Sequence, residues 1–159
     1  MNDGAMRSDY IARPLPQDQV LQAFPLVQAL DKRLTPQSWQ RFAEASFSSR
    51  NRGDYGNIMT LQTSSGYIHA LFVYWVREDL CEGRQMEVDH LVTFELPGQT
   101  KAISMALRVM EQLGREKGCE VIDICVPRSS LDGAQASRIA DAFGTSGYAE
   151  SAARWRKRL

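Results

Sequence analysis

The sequence predicts an α/β (α+β) domain with a mixed, mostly antiparallel sheet of six to seven strands, flanked by about four helices. Two observations lead to this fold class. Three strand-like segments follow one another with only short turns between them, as antiparallel strands do. After them a helix stands between two strands, which normally makes a parallel crossover. We therefore expect the strands around Glu87 and Ile122 to be parallel neighbours in an otherwise antiparallel sheet.

The first third of the chain is predicted to be a short strand followed by helices. Residues 10–13 form the strand, and residues 17–34 show the helical spacing of apolar side chains. Pro25 interrupts that spacing, and we interpret it as the first residue of a second helical piece rather than an interior residue. Thr35, which a proline follows, is a predicted N-cap of the next helix. The polar, glycine-containing stretch 48–56 is predicted to be a loop.

The rest of the chain switches between two periodicities. Apolar residues alternate or run continuously where strands are expected, and they recur every three or four positions where helices are expected. These patterns predict strands over Asn57 to Gln62, Tyr67 to Val76, Gln85 to Phe94 and Val121 to Val126, a helix from Thr100, a helix capped by Ser130, and a final strand or pair of strands over Tyr148 to Leu159.

Length and charge limit the function. The 159 residues suit a single domain over 1–159, and the 19 acidic and 19 basic residues cancel. Because a general nucleic-acid binder normally has a basic excess, we expect no nucleic-acid partner. The longest apolar run, Ala70 to Val76, is too short to span a bilayer, so we expect no membrane partner. The basic residues near the end are interpreted as the solvated face of the last strand: Arg154, Arg156, Lys157 and Arg158.

Cysteine and histidine usage argues against disulfides and a metal site. The three cysteines, Cys81, Cys119 and Cys125, are odd in number, and no pair has zinc-like spacing. The two histidines are too few for a histidine-rich metal site. Since the first residues are polar and carry no signal-like apolar block, we expect a reduced, cytoplasmic setting.

Several local sequences resemble the GNAT superfamily of N-acetyltransferases. Residues 88–93, Val-Asp-His-Leu-Val-Thr, are similar to the fourth strand of that family. Residues 99–104, followed by Ala106 and Leu107, resemble its pyrophosphate loop and central helix. That loop is usually (Arg/Gln)-x-x-Gly-x-(Gly/Ala), and here Ala102 and Ser104 stand at the glycine positions.

The resemblance implies an acyl-CoA-dependent N-acyltransferase, most simply one that uses acetyl-CoA (coenzyme A). A helix N-terminus attracts phosphate through its unpaired N–H groups and its dipole, independently of any family likeness. In the family the pantetheine arm pairs with the backbone of the fourth strand. The implied cofactor contacts are Leu91, Val92, Thr93 and Phe94 on the strand, and Gln99, Thr100, Lys101, Ala102, Ile103 and Ser104 at the helix start.

Strand alternation selects candidates for the general base. Successive side chains point to opposite faces, which puts His90 on the apolar face with Met86, Val88 and Val92. Glu87, Asp89 and Leu91 then share the other face. A positioned carboxylate can take the proton of an amine. The resemblance places an acidic residue at the position of Asp89 in many relatives, so Asp89 is the preferred base and Glu87 the second choice. A β-bulge would reverse the phase and favour His90 instead. His69, in a buried strand, is interpreted as structural.

The proton donor for the leaving thiolate is missing from its family position. That tyrosine stands four residues before the glycine of a Gly-aromatic pair, here Gly147-Tyr148, and the position holds Phe143. Tyr148 could substitute only if the chain bends; otherwise it is a core residue. The alternative function is therefore a catalytically impaired binding or regulatory module with the same fold. A small α/β interaction domain unrelated to the family would have no concave site at the helix start.

The acceptor is not identified by any motif. We expect a small-molecule or protein amine. Trp39, Phe42 and Phe47 either line an acceptor pocket or belong to the core. A homodimer through exposed sheet edges would be ordinary for such a sheet.

Overall fold

A computed structural model describes residues 10–49, 56–126, 134–151 and 156–159. Five strands in these ranges form one sheet in sequential order. Strands β1 to β4 are antiparallel, and β4 pairs with β5 in parallel, as predicted. The strands are β1 Ile11–Pro14, β2 Asn57–Gln62, β3 Ile68–Asp79, β4 Gly83–Thr93 and β5 Val121–Ile124.

The expectation of six to seven strands was wrong for the part of the chain that the structure describes. Residues 148–151 and 156–159, from the predicted final strand, contain no strand, and 152–155 lie outside the described ranges. Residues 149–151 and 156–159 are exposed. This tail is rich in charged and small residues, so it offers no apolar face that a sheet could bury. The predicted cap Ser130 and most of the predicted loop 48–56 also lie outside the described ranges.

Within the described residues, a 3₁₀ turn over Gln17–Gln19 leads into the first of four α-helices. The first ends much earlier than predicted and contains Pro25 in its interior. An interior proline removes one backbone hydrogen bond and crowds the preceding turn, which disfavours a long helix, and the chain leaves this helix two residues later. Thr35 is an N-cap as predicted, in a capping box with Ser38. The helices are α1 Val20–Val27, α2 Pro36–Ser48, α3 Lys101–Glu116 and α4 Ala134–Thr145.

The sheet is covered on both faces. Helices α1 and α2 pack on one face, where Leu71 and Val73 of β3 are buried. Helix α3, with Leu107 at its centre, packs on the other face against Phe72. The central strand β3 is therefore apolar on both sides, as its sequence predicts. In the described ranges, every helix is too short or too polar to cross a membrane.

Candidate functional site

A β-bulge in β4 sets the geometry of the site. Leu71 lies opposite Val92, but Val73 lies opposite Asp89, so β4 contains one more residue than β3 across this step. His90, within the bulge, has a left-handed backbone with φ of 54°. Non-glycine residues rarely adopt this conformation, and they do so mainly at turns and functional sites.

The bulge corrects the predicted alternation beyond Asp89. Opposite residues of an antiparallel pair share a face, so Val92 lies with Leu71 on the α1/α2 face rather than with Met86 and Val88. Leu91 packs instead in the cluster that includes Met86 and Val88. The reason is physical: one inserted residue shifts the alternation of every later residue to the opposite face.

A cleft opens where β4 and β5 separate. Their parallel ladder ends at the pair Val88 and Ile124, next to a 2.9 Å hydrogen bond from the Cys125 N–H to the Val88 carbonyl oxygen. Beyond this point lies a cleft of about 380 Å³. Its lining is mostly apolar and comprises Ala29, Leu30, Leu91, Val92, Thr93, Phe94, Glu95, Ile103, Val126, Ile139 and Phe143.

Helix α3 begins at the wall of this cleft. A turn over residues 96–99 leads into it, closed by a 3.0 Å bond from the Gln99 N–H to the Leu96 carbonyl oxygen. Gly98 has φ of 82° in this turn, a left-handed conformation that residues with a Cβ atom rarely adopt. Thr100 occupies the N-cap position, but its side chain accepts no capping bond. The Glu95 carboxylate accepts a 2.6 Å bond from the Ile103 N–H instead.

The sequence-predicted cofactor residues occupy one region. Leu91, Val92, Thr93, Phe94 and Ile103 all line the cleft. The other predicted contacts lie around the helix start: Gln99 and Lys101 are exposed, Thr100 and Ser104 are half-buried, and Ala102 is buried. The cleft therefore lies at the predicted strand end, and of the predicted helix-start residues it is lined by Ile103.

The two predicted carboxylates lie outside the cleft lining, on the α1/α2 side of β4. Glu87 stands opposite Trp75, and Asp89 stands opposite Val73. Glu87 Oε2 forms a 3.2 Å ion pair with Nη1 of Arg77. Such a partly exposed ion pair contributes little to stability, but it keeps the Glu87 carboxylate beside the Arg77 guanidinium.

His90 lies on the same side as these carboxylates and is exposed. Its ring meets Phe42 of α2 edge to face, with centroids 6.0 Å apart. Trp39, a suggested acceptor-pocket residue, is buried and donates a 2.6 Å bond to the Val20 carbonyl oxygen, so it belongs to the core. Phe42 and Phe47 are half-buried at the margin of that core. His69 packs against the rings of two aromatic residues, Tyr10 and Phe94.

Phe143 and Tyr148, the residues considered for the proton donor, pack against each other beside the cleft. Phe143, the position at which the resemblance predicts a tyrosine, lines the cleft. Tyr148 packs edge-on against Phe143 and is absent from the lining. Burial raises the pKa of Tyr148 to about 12, and the negative charge of Glu111 adds to the rise. Its buried hydroxyl has no hydrogen-bond partner among the described residues. Tyr148 is therefore a packing residue here and does not replace the missing phenol.

Sequence reasoning did not find Glu95 or the far wall of the cleft. Val126, Ile139 and Leu30 come from three segments that meet only in the folded chain. Glu95 did carry a signal, because an acidic residue shortly before a helix favours the positive end of the helix dipole.

A parallel strand pair separates beside a helix start in a sheet that is otherwise antiparallel, and solved acetyltransferase structures share this architecture, the GNAT fold. Solved structures of similar fold cover nearly all of this chain. Glucosamine-6-phosphate N-acetyltransferase from Arabidopsis thaliana has a TM-score of 0.68 at 13% identity, over 94% of this chain and 98% of that chain. An aminoglycoside N-acetyltransferase in complex with CoA has a TM-score of 0.70 at 12% identity, over 98% of this chain and 99% of that chain.

A third structure has a different description. A transcriptional regulator from Bacillus halodurans has a TM-score of 0.73 at 12% identity, over 94% of this chain and 99% of that chain. At such identities the likeness concerns the fold alone. No protein-family model matches the sequence, and no curated protein matches it.

Proposed function

We propose that this protein is an N-acyltransferase that moves the acyl group of an acyl-CoA, in the simplest case acetyl-CoA, to an amine. The observation that carries the proposal is the cleft between the ends of β4 and β5 at the start of α3. Such a cleft offers two different surfaces side by side. One is an apolar strand end for a pantetheine arm, and the other is a set of helix N-terminal amides for phosphates.

The donor would lie along residues 91–94 with its pyrophosphate near residues 99–104. Because the ladder with β5 ends at Val88, the later backbone of β4 can pair with the amides of pantetheine. Lys101 is exposed at the helix start and adds a positive charge. Ala102 and Ser104 have small side chains, which keep the approach to the helix backbone open.

The reaction requires an unprotonated amine. A lysine-type amine is only about one part in a thousand unprotonated near neutral pH, so a base must remove a proton. The amine nitrogen then attacks the thioester carbonyl, and the C–S bond breaks as the amide forms. A backbone N–H of the bent β4 would stabilise the oxyanion.

His90 is our proposed base, because the bulge turns it to the α2 side and leaves its ring exposed. A neutral imidazole nitrogen can accept the proton of an amine, which suits this role. Asp89 and Glu87, the bases predicted from sequence, share that side of β4 and remain candidates. To act as the base, the Glu87 carboxylate would have to leave its ion pair with Arg77.

Binding of acetyl-CoA, measured by titration calorimetry, tests the proposal. Wild type should bind with micromolar affinity, and Ser104→Glu should lose at least about tenfold in affinity, because it adds a negative charge where the phosphates would lie. Gln37→Glu adds the same charge at an exposed position of α2 and should bind like wild type. If neither acetyl-CoA nor longer acyl-CoAs bind, the acyltransferase proposal is refuted.

Thiol release in the presence of an amine panel would then identify the acceptor and test the base. His90→Gln should lower kcat/KM and remove the acidic limb of its pH profile. Asp89→Asn should leave that limb in place. If Asp89→Asn removes the limb and His90→Gln does not, the base is the one predicted from sequence.

Two observations favour a second function, a binding or regulatory module. Phe143 stands in the cleft where a proton donor is expected, and a structure of similar fold is described as a transcriptional regulator. A thiolate leaves without assistance, but more slowly, so the loss of the donor lowers the expected rate without preventing transfer. Binding of acetyl-CoA with no thiol release across a broad amine panel would favour this second function.

A further inference from the structure

Glu95 occupies one of the amides that a phosphate would use. Its Oε1 accepts a 2.6 Å hydrogen bond from the Ile103 N–H, in the first turn of α3. The side chain is half-buried and belongs to the cleft lining together with Ile103. A charged acceptor at a helix N-terminus makes a short, strong bond and is favoured by the dipole. The Glu95 carboxylate thus binds, within the cleft, a backbone N–H that could otherwise bind an anionic ligand.

Two cationic side chains lie near the start of α3. Lys101 is exposed, with its Nζ 5.8 Å from the centroid of the Tyr10 ring. Arg138 of α4 reaches the turn before α3, and its Nη1 lies 3.9 Å from the place that a Cβ would take at Gly98. These two cations suit a ligand with more negative charge than the single Glu95 carboxylate carries.

We propose that Glu95 is an internal competitor for the pyrophosphate of the acyl donor. This inference rests on the proposed function, because it concerns the same cleft. An entering pyrophosphate and the carboxylate are both negative and both suit the Ile103 amide. Bound donor therefore requires that Glu95 leave the amide, or that the phosphates bind farther out beside the repelling carboxylate. In either case the wild-type protein binds acetyl-CoA more weakly than a protein without this charge.

Two properties should then change in opposite directions when Glu95 is neutralised. Affinity for a donor with a pyrophosphate should rise about tenfold, because one charge-assisted competing bond and its repulsion are removed. Stability of the unliganded protein should fall, since α3 loses its charged cap. A residue that served only as a cap would give lower stability with unchanged or weaker donor binding, so the two roles are separable.

The test is a calorimetric comparison of wild type, Glu95→Gln and Glu95→Ala. Glu44→Gln, which neutralises an exposed carboxylate of α2, is the matched control. We expect acetyl-CoA and inorganic pyrophosphate to bind about tenfold more tightly to both Glu95 variants and equally to wild type and the control. The affinity for S-acetylpantetheine, which has no phosphate, should not change. Urea unfolding of each unliganded variant measures the loss of the cap and establishes that the variant is folded.

The outcomes separate this inference from the function on which it rests. If wild type binds acetyl-CoA and the Glu95 variants bind it equally or more weakly, the competitor role is overturned and the acyltransferase proposal stands. A parallel rise in affinity for S-acetylpantetheine would also overturn it, since the effect would then not concern the phosphates. If no variant binds acetyl-CoA, the proposed function is refuted and the inference with it.

Discussion

Replacing His90 by glycine and by alanine tests the bulge that orders the site. Both changes remove the imidazole and its contact with Phe42, so they differ only in the Cβ atom. At φ of 54° a Cβ is disfavoured by about 1–2 kcal/mol, which glycine avoids. Glycine also has greater freedom in the unfolded chain, which offsets about 0.4–1 kcal/mol of that gain. His90→Gly should therefore be more stable than His90→Ala by about 1 kcal/mol.

The sign of this difference is diagnostic. In an ordinary strand interior, glycine is less stable than alanine by about 0.5–1 kcal/mol. Urea unfolding, followed by tryptophan fluorescence, measures both variants, and equal m-values would establish that the same surface is exposed on unfolding. Both variants should also lose the catalytic activity proposed for His90. A His90→Ala protein at least as stable as His90→Gly would refute the left-handed backbone and the side-chain arrangement inferred from it.

Three further predictions concern single positions. Phe143→Tyr places a phenol in the cleft and should raise kcat about tenfold or more by protonating the thiolate; an unchanged kcat would contradict the role assigned to that position. Gly56→Ala should lower the free energy of unfolding, measured in urea, by about 1–3 kcal/mol, because the new Cβ would lie 2.7 Å from Trp75. Gly144→Ala, at an open helical site, should raise the free energy of unfolding by about 0.5–1 kcal/mol. Tyr148→Phe removes a buried hydroxyl without a described partner and should stabilise by about 1 kcal/mol; a clear loss would reveal a partner.

Tyr148 also predicts a pH dependence. Its phenol has a pKa near 10 when unfolded and of about 12 when folded, because burial disfavours the charged form. Between these values the folded state binds more protons than the unfolded state, so stability falls as pH rises from about 10 to 12. Urea midpoints across this range should fall more steeply for wild type than for Tyr148→Phe. Equal slopes would show that the hydroxyl is solvated in the folded protein.

The elements that local chemistry determines were predictable from the sequence. Apolar periodicity and turn residues located β2 over Asn57–Gln62, and a Thr-Pro pair located the start of α2. The parallel pairing of β4 and β5 followed from the helix between them, which is a rule of connection rather than of composition. The predicted final strand was wrong for residues 148–151 and 156–159, because the sequence there lacks the apolar alternation that seats a strand on a core.

The site was only partly predictable because its decisive features depend on tertiary pairing. The sequence around His90 does not distinguish a regular strand from a bulged one. The extra residue becomes evident only in the pairing of β4 with β3, opposite Phe72. Glu95 and Ile103 are eight positions apart, beyond the three-residue span of a capping box, and the turn around Gly98 brings them together. The strand segment 91–94 and the helix start 99–104 were predicted as cofactor contacts through the resemblance to the GNAT superfamily, and residues 91–94 and Ile103 line the cleft.

Glu95 and Phe143 should limit different steps of the proposed reaction, which leads to a prediction for the double variant. Glu95 opposes binding of the donor phosphates, so Glu95→Gln should lower the KM for acetyl-CoA and leave kcat nearly unchanged. Phe143 has no hydroxyl to protonate the leaving thiolate, so Phe143→Tyr should raise kcat and leave KM nearly unchanged. Effects on independent steps add as free energies, so the gain in kcat/KM of the double variant should be the product of the single gains. A much smaller gain would mean that the two walls of the cleft are coupled, and that the donor seats against Phe143 only while Glu95 remains on the Ile103 amide.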